Sequence, residues 1–113
     1  MRAAISNAMV RRKAELYGKG PMRAKTFFND DYVFVVMEGG LTANEEQLVD
    51  AGEEDLVRRY RLRFQEVTGD VLVGDVEEIT GRKVVGYHSQ ITFQPTRVFE
   101  IFYLDAPPEP AAD

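Results

Sequence analysis

Three short glycine-containing segments divide this chain, because at each of them one hydrophobic periodicity ends and another begins. They are residues 18–21 (GKGP), 38–42 (EGGLT) and 80–83 (TGRK). Glycine commonly ends helices and strands, since it adopts backbone conformations that other residues avoid. The segments predict an α+β fold in the order helix, hairpin, short helix, long helix, hairpin. Its two hairpins would form a four-stranded antiparallel sheet with the helices mainly on one face.

The length of 113 residues fits one domain with a single core. We assign residues 1–105 to this domain and the proline- and alanine-rich residues 106–113 to a disordered tail. The sequence has no cysteine, which excludes disulfides and thiolate chemistry. Its longest apolar run, residues 32–37, is far shorter than the roughly 20 residues that span a bilayer. A soluble cytoplasmic protein without a signal peptide or a membrane span is expected.

The first helix is predicted from about Arg2 to Tyr17, where Gly18 ends it. The first hairpin follows in residues 24–38, where aromatic and β-branched residues replace the helical spacing. Asn and Asp residues at positions 29–31 supply the turn.

The second strand of that hairpin is apolar on both faces. Phe34 and Val36 point to one face, and Val33 and Val35 point to the other. One layer of helices covers only one of these faces, so the other would be covered by a tail, another helix or another subunit. We predict that a second copy of the chain covers it, and therefore a homodimer.

A capping box formed by Thr42 and Glu45 predicts the start of the short helix. The long helix is predicted from about Glu53 to Thr80. Its apolar residues follow helical spacing and predict the side that packs against the core: Leu56, Tyr60, Phe64, Val67, Val71, Val76 and Ile79.

Two further features of the long helix concern its aromatic residues and its glycines. Arginines flank Tyr60 and Phe64, as on some nucleic-acid-binding surfaces. Because both aromatic residues share one helix face, a core position is the favoured interpretation. Gly69 and Gly74 each weaken the helix by about 1 kcal/mol relative to alanine, and they predict a kink or close packing.

The second hairpin is predicted where the hydrophobic period changes to two, after the third glycine segment. A three-residue loop at 94–96 would pair Ile91 with Phe99 and His88 with Phe102. The first strand would carry two sets of residues on opposite faces: Val85, Tyr87, Ile91 and Phe93 on one, and His88, Gln90 and Thr92 on the other.

Charge is distributed unevenly along the chain. Residues 1–25 carry seven basic residues and one acidic residue, whereas residues 26–113 carry seven basic and 18 acidic ones. A basic first element could meet an anionic partner, or it could pack on the acidic remainder of the chain, and the second interpretation is favoured. The sequence pI of about 4.9 argues against a nucleic-acid partner.

The residues around the first glycine segment form a candidate anion site. Glycines let backbone amides converge on an anion, and the site would consist of Lys19, Gly20, Arg23 and Lys25. The segment lacks the spacing of a phosphate-binding loop and follows a helix instead of opening one. A helix end followed by a linker is therefore the favoured interpretation.

His88 is the single histidine and could act as an acid or base with Glu100. No serine or cysteine motif surrounds it, and one histidine cannot build a usual zinc site. Acidic pairs such as Glu77 and Glu78 are interpreted as helix surface. We therefore expect no catalytic residues, no metal site and no cofactor.

The three glycine segments, in this order and spacing, resemble the MpsC-like domain of the Na+-translocating membrane-potential-generating system, a bacterial family. The resemblance extends from about Ile5 to Leu104. It implies a small α+β domain associated with a membrane system for ion or inorganic-carbon transport, and it brings no established catalytic residues. The family often carries a Ser-Asp step, with a histidine two residues later, in its last hairpin. Here residues 89–92 read SQIT.

Two functional hypotheses follow from the residues and the resemblance. The leading one is a non-enzymatic accessory or regulatory module that binds a protein partner of a membrane transport system, at the inner face of the membrane. The alternative is a small-ligand or anion-binding domain that uses residues 18–25.

Overall fold

The computed structural model describes residues 1–108 and confirms the predicted α+β fold. Of the predicted tail, residues 109–113 lie outside this range; within it, the Pro107 carbonyl accepts a hydrogen bond of 2.8 Å from Arg82 Nε. The elements follow in the order α1 (Arg2–Tyr17), β1 (Arg23–Asn29), β2 (Tyr32–Glu38), α2 (Ala43–Asp50), α3 (Glu54–Thr80), β3 (Val84–Thr92) and β4 (Arg97–Leu104).

Local sequence signals set the ends of the helices. Gly18 and Gly81 adopt left-handed conformations, with φ of 79° and 68°, and end α1 and α3. At the start of α2, the Thr42 side chain accepts a hydrogen bond from the Glu45 backbone, and the Glu45 side chain accepts one from the Thr42 backbone. The predicted capping box and helix ends are confirmed.

The four strands form one antiparallel sheet in the order β1-β2-β4-β3. Ile91 lies opposite Val98 and His88 opposite Ile101, so the predicted register of the second hairpin is wrong by one residue. The strands end at Thr92 and begin again at Arg97, which leaves four loop residues instead of three. One additional loop residue shifts the pairing by one position.

A bulge near the start of β3 changes the face on which Val85 lies. The pairing shifts between Val84 and Gly86, and the Val85 side chain is 63% exposed. A bulge inserts one residue into a strand and so reverses the alternation before it. The prediction that Val85 shares a face with Tyr87 is therefore wrong.

All three helices pack on one face of the sheet. The buried cluster joins Ile5 and Met9 of α1, Val49 of α2, and Val57, Leu72 and Val76 of α3 to inward residues of the strands. The inward strand residues of this cluster are Val33, Val35, Met37, Ile91, Val98, Phe102 and Leu104. The opposite sheet face, with Phe34, is not covered by any element within residues 1–108.

The predicted core side of α3 is wrong over most of its length. The buried residues are Val57, Arg61, Gln65, Gly69, Leu72, Asp75, Val76 and Thr80. Four of the predicted residues, Leu56, Tyr60, Val67 and Val71, are 38–65% exposed, and Phe64 is half-buried. Relative to the predicted orientation, α3 is rotated about its own axis by about one residue. This rotation allows Arg61 and Gln65 to bind acidic groups inside the fold. We refer to Leu56, Tyr60, Phe64, Val67 and Val71 as the α3 ridge.

Candidate functional site

A buried carboxylate on the inner face of β4 is the centre of a polar network. Glu100 Oε1 accepts hydrogen bonds from Lys13 Nζ at 2.8 Å and from Gln65 Nε2 at 3.1 Å. Glu100 Oε2 accepts one from Tyr87 Oη at 2.6 Å. The Lys13 and Glu100 side chains are 4% and 0% exposed. A buried ion pair offsets the cost of its desolvation only with good geometry and additional hydrogen bonds. The hydrogen bonds from Gln65 and Tyr87 therefore help to stabilise the Lys13–Glu100 pair.

Tyr87 acts as a permanent donor in this network. Burial raises the pKa of its phenol, and the negative charge and hydrogen bond of Glu100 raise it further. Its ring stacks on Phe102, with centroids 4.9 Å apart. The same ring also explains Gly69, because a Cβ at that position would lie 3.0 Å from Tyr87 Cε2. The close packing predicted for Gly69 is confirmed.

A second buried ion pair joins α2 to α3. Arg61 Nε and Nη2 each donate to the Glu45 carboxylate at 2.6 Å, and Nη2 also donates to the Gly40 carbonyl at 3.0 Å. Burial by itself would raise the pKa of Glu45, but the hydrogen bonds from Arg61 and Thr42 outweigh burial and hold it below its ordinary value. The second glycine segment thus supplies a carbonyl to a buried arginine.

Tyr17 lies between the two ion pairs. The Arg61 guanidinium carbon is 3.8 Å from the centroid of its ring, Lys13 Nζ is 5.5 Å from it, and the Phe64 ring meets it edge-on at 5.0 Å. Its hydroxyl is buried and makes no hydrogen bond with any residue that the structure describes. Burial raises the pKa of Tyr17 to about 12.

A pocket of about 420 Å³ opens beside the Glu100 network, between α3 and β3. This volume falls in the range of small-molecule sites, about 300–1,000 Å³. The Gln65 amide group donates to Glu100, so its other atom, Oε1, is an acceptor, and it has no hydrogen-bond partner within residues 1–108. The lining residues are Leu62, Gln65, Glu66, Gly69, Asp70, Val73, Tyr87, His88 and Ser89.

Of the candidate anion site, Lys19 and Gly20 lie in the segment between α1 and β1, and Arg23 and Lys25 lie in β1. Arg23 Nε donates to Glu38 Oε2 at 2.7 Å, whereas Lys19 is exposed at the end of α1. Gly20 packs on α1, where a Cβ would lie 3.1 Å from the Val10 carbonyl oxygen. Arg23 and Lys25 lie together on the uncovered face of the sheet. The structure thus gives Gly20 a packing role and brings two of the three cations together.

The basic first element packs on acidic residues, in line with the favoured interpretation. Arg12 binds both carboxylate oxygens of Asp75, at 2.8 and 3.1 Å, and Lys13 binds Glu100. Sequence reasoning missed Lys13, Glu45, Arg61 and Gln65 as network members. The one signal in the sequence was that Arg61 and Gln65 follow each other at a spacing of four residues, beside the apparent apolar stripe of α3.

His88 and Glu100 lie on opposite faces of the sheet. Glu100 faces the helices opposite Ser89, and His88 is exposed opposite Ile101. The two side chains are therefore not placed to act together. Among residues 1–108, no three His, Cys, Asp or Glu residues are grouped so that they could hold a metal ion.

The uncovered face of the sheet carries aromatic residues on three neighbouring strands, β1, β2 and β4. Phe27, Tyr32, Phe34 and Tyr103 are 37–48% exposed, and the rings of Tyr32 and Tyr103 meet edge-on at 5.1 Å. We call this surface the open sheet face; register and alternation assign to it Arg23, Lys25, Phe27, Asn29, Tyr32, Phe34, Val36, Glu38, His88, Gln90, Thr92, Arg97, Phe99, Ile101 and Tyr103.

Charged residues lie at one end of the open sheet face. Glu38 meets Arg23 at 2.7 Å and Arg97 at 3.5 Å, and the hydrogen bond from Arg23 is the main cause that holds the pKa of Glu38 below its ordinary value. With Lys25, this face has three basic side chains and one carboxylate.

Within residues 1–108, each helix is either too short or too polar to span a lipid bilayer. A family model described as the Na+-translocating membrane potential-generating system (MpsC) matches residues 1–106. Comparisons with curated proteins and with solved structures give no match. The match covers nearly the whole chain, and with it every element of the fold. The chain therefore belongs to the MpsC family.

Proposed function

We propose that this protein is a non-enzymatic accessory or regulatory module that binds a protein partner through its open sheet face. The observation that carries the proposal is the group of exposed aromatic side chains on strands β1, β2 and β4 of this face. Large exposed apolar patches on soluble domains commonly mark interaction sites, and aromatic residues and arginine are enriched in protein interfaces.

The charge of the open sheet face defines the chemistry of the partner. Its basic side chains, Arg23, Lys25 and Arg97, outnumber its one carboxylate, although the whole chain has a net charge of −5. A complementary partner would present an apolar segment flanked by acidic residues, since complementary charge steers association and excludes other partners.

The polar network supports a structural role for the interior instead of a catalytic one. The oxygens of Glu100 are bound by Lys13, Gln65 and Tyr87, and those of Glu45 by Arg61 and Thr42. A general acid or base needs a side chain within reach of a substrate proton. Both carboxylates are instead held by groups of the protein itself.

The family supports the choice of partner. Its name refers to a Na+-translocating membrane system, so we propose that the partner is a subunit of a membrane system for ion or inorganic-carbon transport. The module would then act in the cytoplasm, at the inner face of the membrane.

The test is affinity capture of the tagged chain from its native cells after chemical cross-linking. Phe34→Lys changes the open sheet face, and Leu48→Lys is the control on α2, because the two side chains are 37% and 36% exposed. A transport subunit should be captured by the wild type and the control and lost, by tenfold or more, with Phe34→Lys. Purified partner should reproduce this difference.

Equal capture by both variants would show that the open sheet face is not the binding surface. A labelled thymine oligonucleotide should not bind, although aromatic and basic groups on an open sheet also suit single-stranded nucleic acid. Binding that disappears with Phe34→Lys would replace the protein partner with a nucleic acid.

A second candidate function, small-ligand binding, is supported by the pocket between α3 and β3, where the lining residue Gln65 has an unpartnered Oε1. An unpartnered acceptor on one lining residue, Gln65, and two carboxylates in the lining, Glu66 and Asp70, favour a small amine with an apolar body. Titration with isopentylamine should shift the amide NMR signals of Gln65 and raise the melting temperature. Inorganic phosphate is the parallel probe for residues 18–25, and shifts there alone would favour the anion site instead.

A further inference from the structure

The α3 ridge is an apolar stripe that the fold leaves mostly exposed. Its members, at positions 56, 60, 64, 67 and 71, follow the four- and three-residue steps of one helix face. Four of them are 38–65% exposed. At 1.5 Å per residue the ridge is about 22 Å long, which is the length of an ordinary helix–helix contact.

We propose that the α3 ridge binds the α3 ridge of a second copy in an antiparallel pair. The spacing of the ridge is nearly the same in both directions along the helix. In such a pair Leu56 would face Val71 of the second copy, and Tyr60 would face its Val67. Phe64 would lie close to the twofold axis, near its own equivalent. A twofold interface requires such a self-complementary surface.

The charges that flank the ridge are self-complementary as well. Arg59 and Arg63 lie in its N-terminal half, and Glu66 and Asp70 lie in its C-terminal half. At 100° per residue, all four occupy the same flank of the helix. Within one chain Arg63 Nη1 lies 3.2 Å from Glu66 Oε2. An antiparallel pair brings this flank against its own equivalent, with Arg59 opposite Asp70 of the second copy and the Arg63–Glu66 pair opposite its own equivalent. Flanking charges of this kind set the orientation of helix pairs.

The open sheet face is less suited to a second copy. Two such faces would bring together six basic side chains and two carboxylates, and like charges disfavour association. We therefore assign the interface of the predicted homodimer to the α3 ridge. The open sheet face then stays available for another partner. A single helix pair is a small interface, below about 1,200 Å², so dimers are expected to form at micromolar concentrations.

The first experiment measures the mass of the full chain by light scattering from micromolar to millimolar concentration. The wild type should reach twice the mass of one chain. Val67→Lys should shift dimerisation to at least tenfold higher concentration, because Val67 lies in the ridge and its high exposure lets the monomer fold. Phe34→Lys and Leu48→Lys should dimerise like the wild type, and circular dichroism should give the same helix content for all four proteins.

A charge-exchange experiment tests the orientation. Arg59→Asp alone and Asp70→Arg alone should each weaken the dimer, since each places like charges opposite one another. An equimolar mixture of the two variants should form heterodimers in native mass spectrometry, because both contacts are then attractive. A wild type that stays monomeric throughout would overturn the proposal. So would a dimer lost with Phe34→Lys but kept with Val67→Lys, or a mixture without preference for heterodimers.

Discussion

Lys13 Nζ lies 2.8 Å from Glu100 Oε1, in an ion pair that joins the first helix to the last strand. Both side chains are almost completely buried. An ion pair in the interior is usually no more stabilising than apolar residues of the same volume, but breaking it by removal of one partner is strongly destabilising. This difference leads to the first prediction.

Lys13→Met should lower the free energy of unfolding by about 3–5 kcal/mol, because it leaves the Glu100 carboxylate buried without its cation. Glu100→Gln should have a comparable effect, and the double variant should lose less than the two single losses combined. Urea unfolding, followed by circular dichroism, measures the free energy of unfolding of the wild type, the two single variants and the double variant. Arg11→Met is the control on the same helix: its exposed pair with Glu15, at 3.9 Å, should contribute less than about 1 kcal/mol. Equal losses for Lys13→Met and Arg11→Met would contradict the prediction.

The Arg61–Glu45 pair should give the protein an acid-dependent stability. The pKa of Glu45 is lower in the folded chain than its ordinary value of 4.5. Its contribution is therefore complete above that value and is lost as the pH falls through the folded pKa. Glu45→Gln should be less stable than the wild type at about pH 7, and the difference should shrink towards about pH 3.

The matched control for this experiment is Glu46→Gln, an exposed neighbour on the same helix. It should leave the pH dependence of urea unfolding close to that of the wild type. If Glu45→Gln and Glu46→Gln have the same profile, the buried pair is not the origin of the acid sensitivity.

The sequence allowed the prediction of those features that depend on neighbouring residues. The ends at Gly18 and Gly81 and the Thr42–Glu45 capping box involve groups only a few residues apart. The core side of α3 could not be predicted in this way. It is set by Arg61 and Gln65, whose partners lie 16 and 35 residues away, and an apolar ridge on another face of the helix gave the stronger pattern.

The candidate site was missed for the same reason. Lys13 belongs to a basic stretch that is typical of a solvated helix face, and only the tertiary fold places it beside Glu100. The unpartnered acceptor on Gln65 becomes recognisable only when its amide nitrogen is known to bind that carboxylate. The register of the second hairpin depended on a single loop residue, which the turn composition did not determine.

The two glycines within α3 should respond in opposite ways to substitution by alanine. A Cβ at Gly74 would meet no atom of residues 1–108 within 4 Å, apart from the helix backbone and chain neighbours. Gly74→Ala should therefore stabilise the protein by about 0.5–1 kcal/mol. A Cβ at Gly69 would lie 3.0 Å from the Tyr87 ring, so that Gly69→Ala should be less stable than Gly74→Ala by about 1 kcal/mol or more.

Thermal unfolding measures this difference, which should amount to several degrees for a domain of this size. The near-ultraviolet circular dichroism of Gly69→Ala should also change, since the Tyr87 ring must move. A Gly69→Ala protein as stable as Gly74→Ala, with an unchanged tyrosine signal, would show that the Tyr87 ring does not pack closely enough to exclude a Cβ at position 69.

Two tyrosines of the interior should respond oppositely to removal of the hydroxyl. Tyr87 Oη donates to Glu100 at 2.6 Å, and hydrogen bonds to charged groups contribute about 1.5–3 kcal/mol. Tyr87→Phe should therefore destabilise the protein by a similar amount. The Tyr17 hydroxyl is buried without a partner in the described chain, so Tyr17→Phe, which keeps the ring beside Arg61, should leave the stability at neutral pH unchanged or raise it.

Alkaline pH separates the effect of Tyr17 from that of packing. Burial raises its pKa from 10.0 to about 12 in the folded chain. Burial disfavours only the ionised form, so the hydroxyl adds no pH dependence below the unfolded pKa, and the stability falls as the pH rises from there to the folded pKa. Between these two values the stability of the wild type should fall more steeply than that of Tyr17→Phe, as measured by urea unfolding at successive pH values. Parallel profiles for the two proteins would mean that the Tyr17 hydroxyl is solvated and titrates as in the unfolded chain.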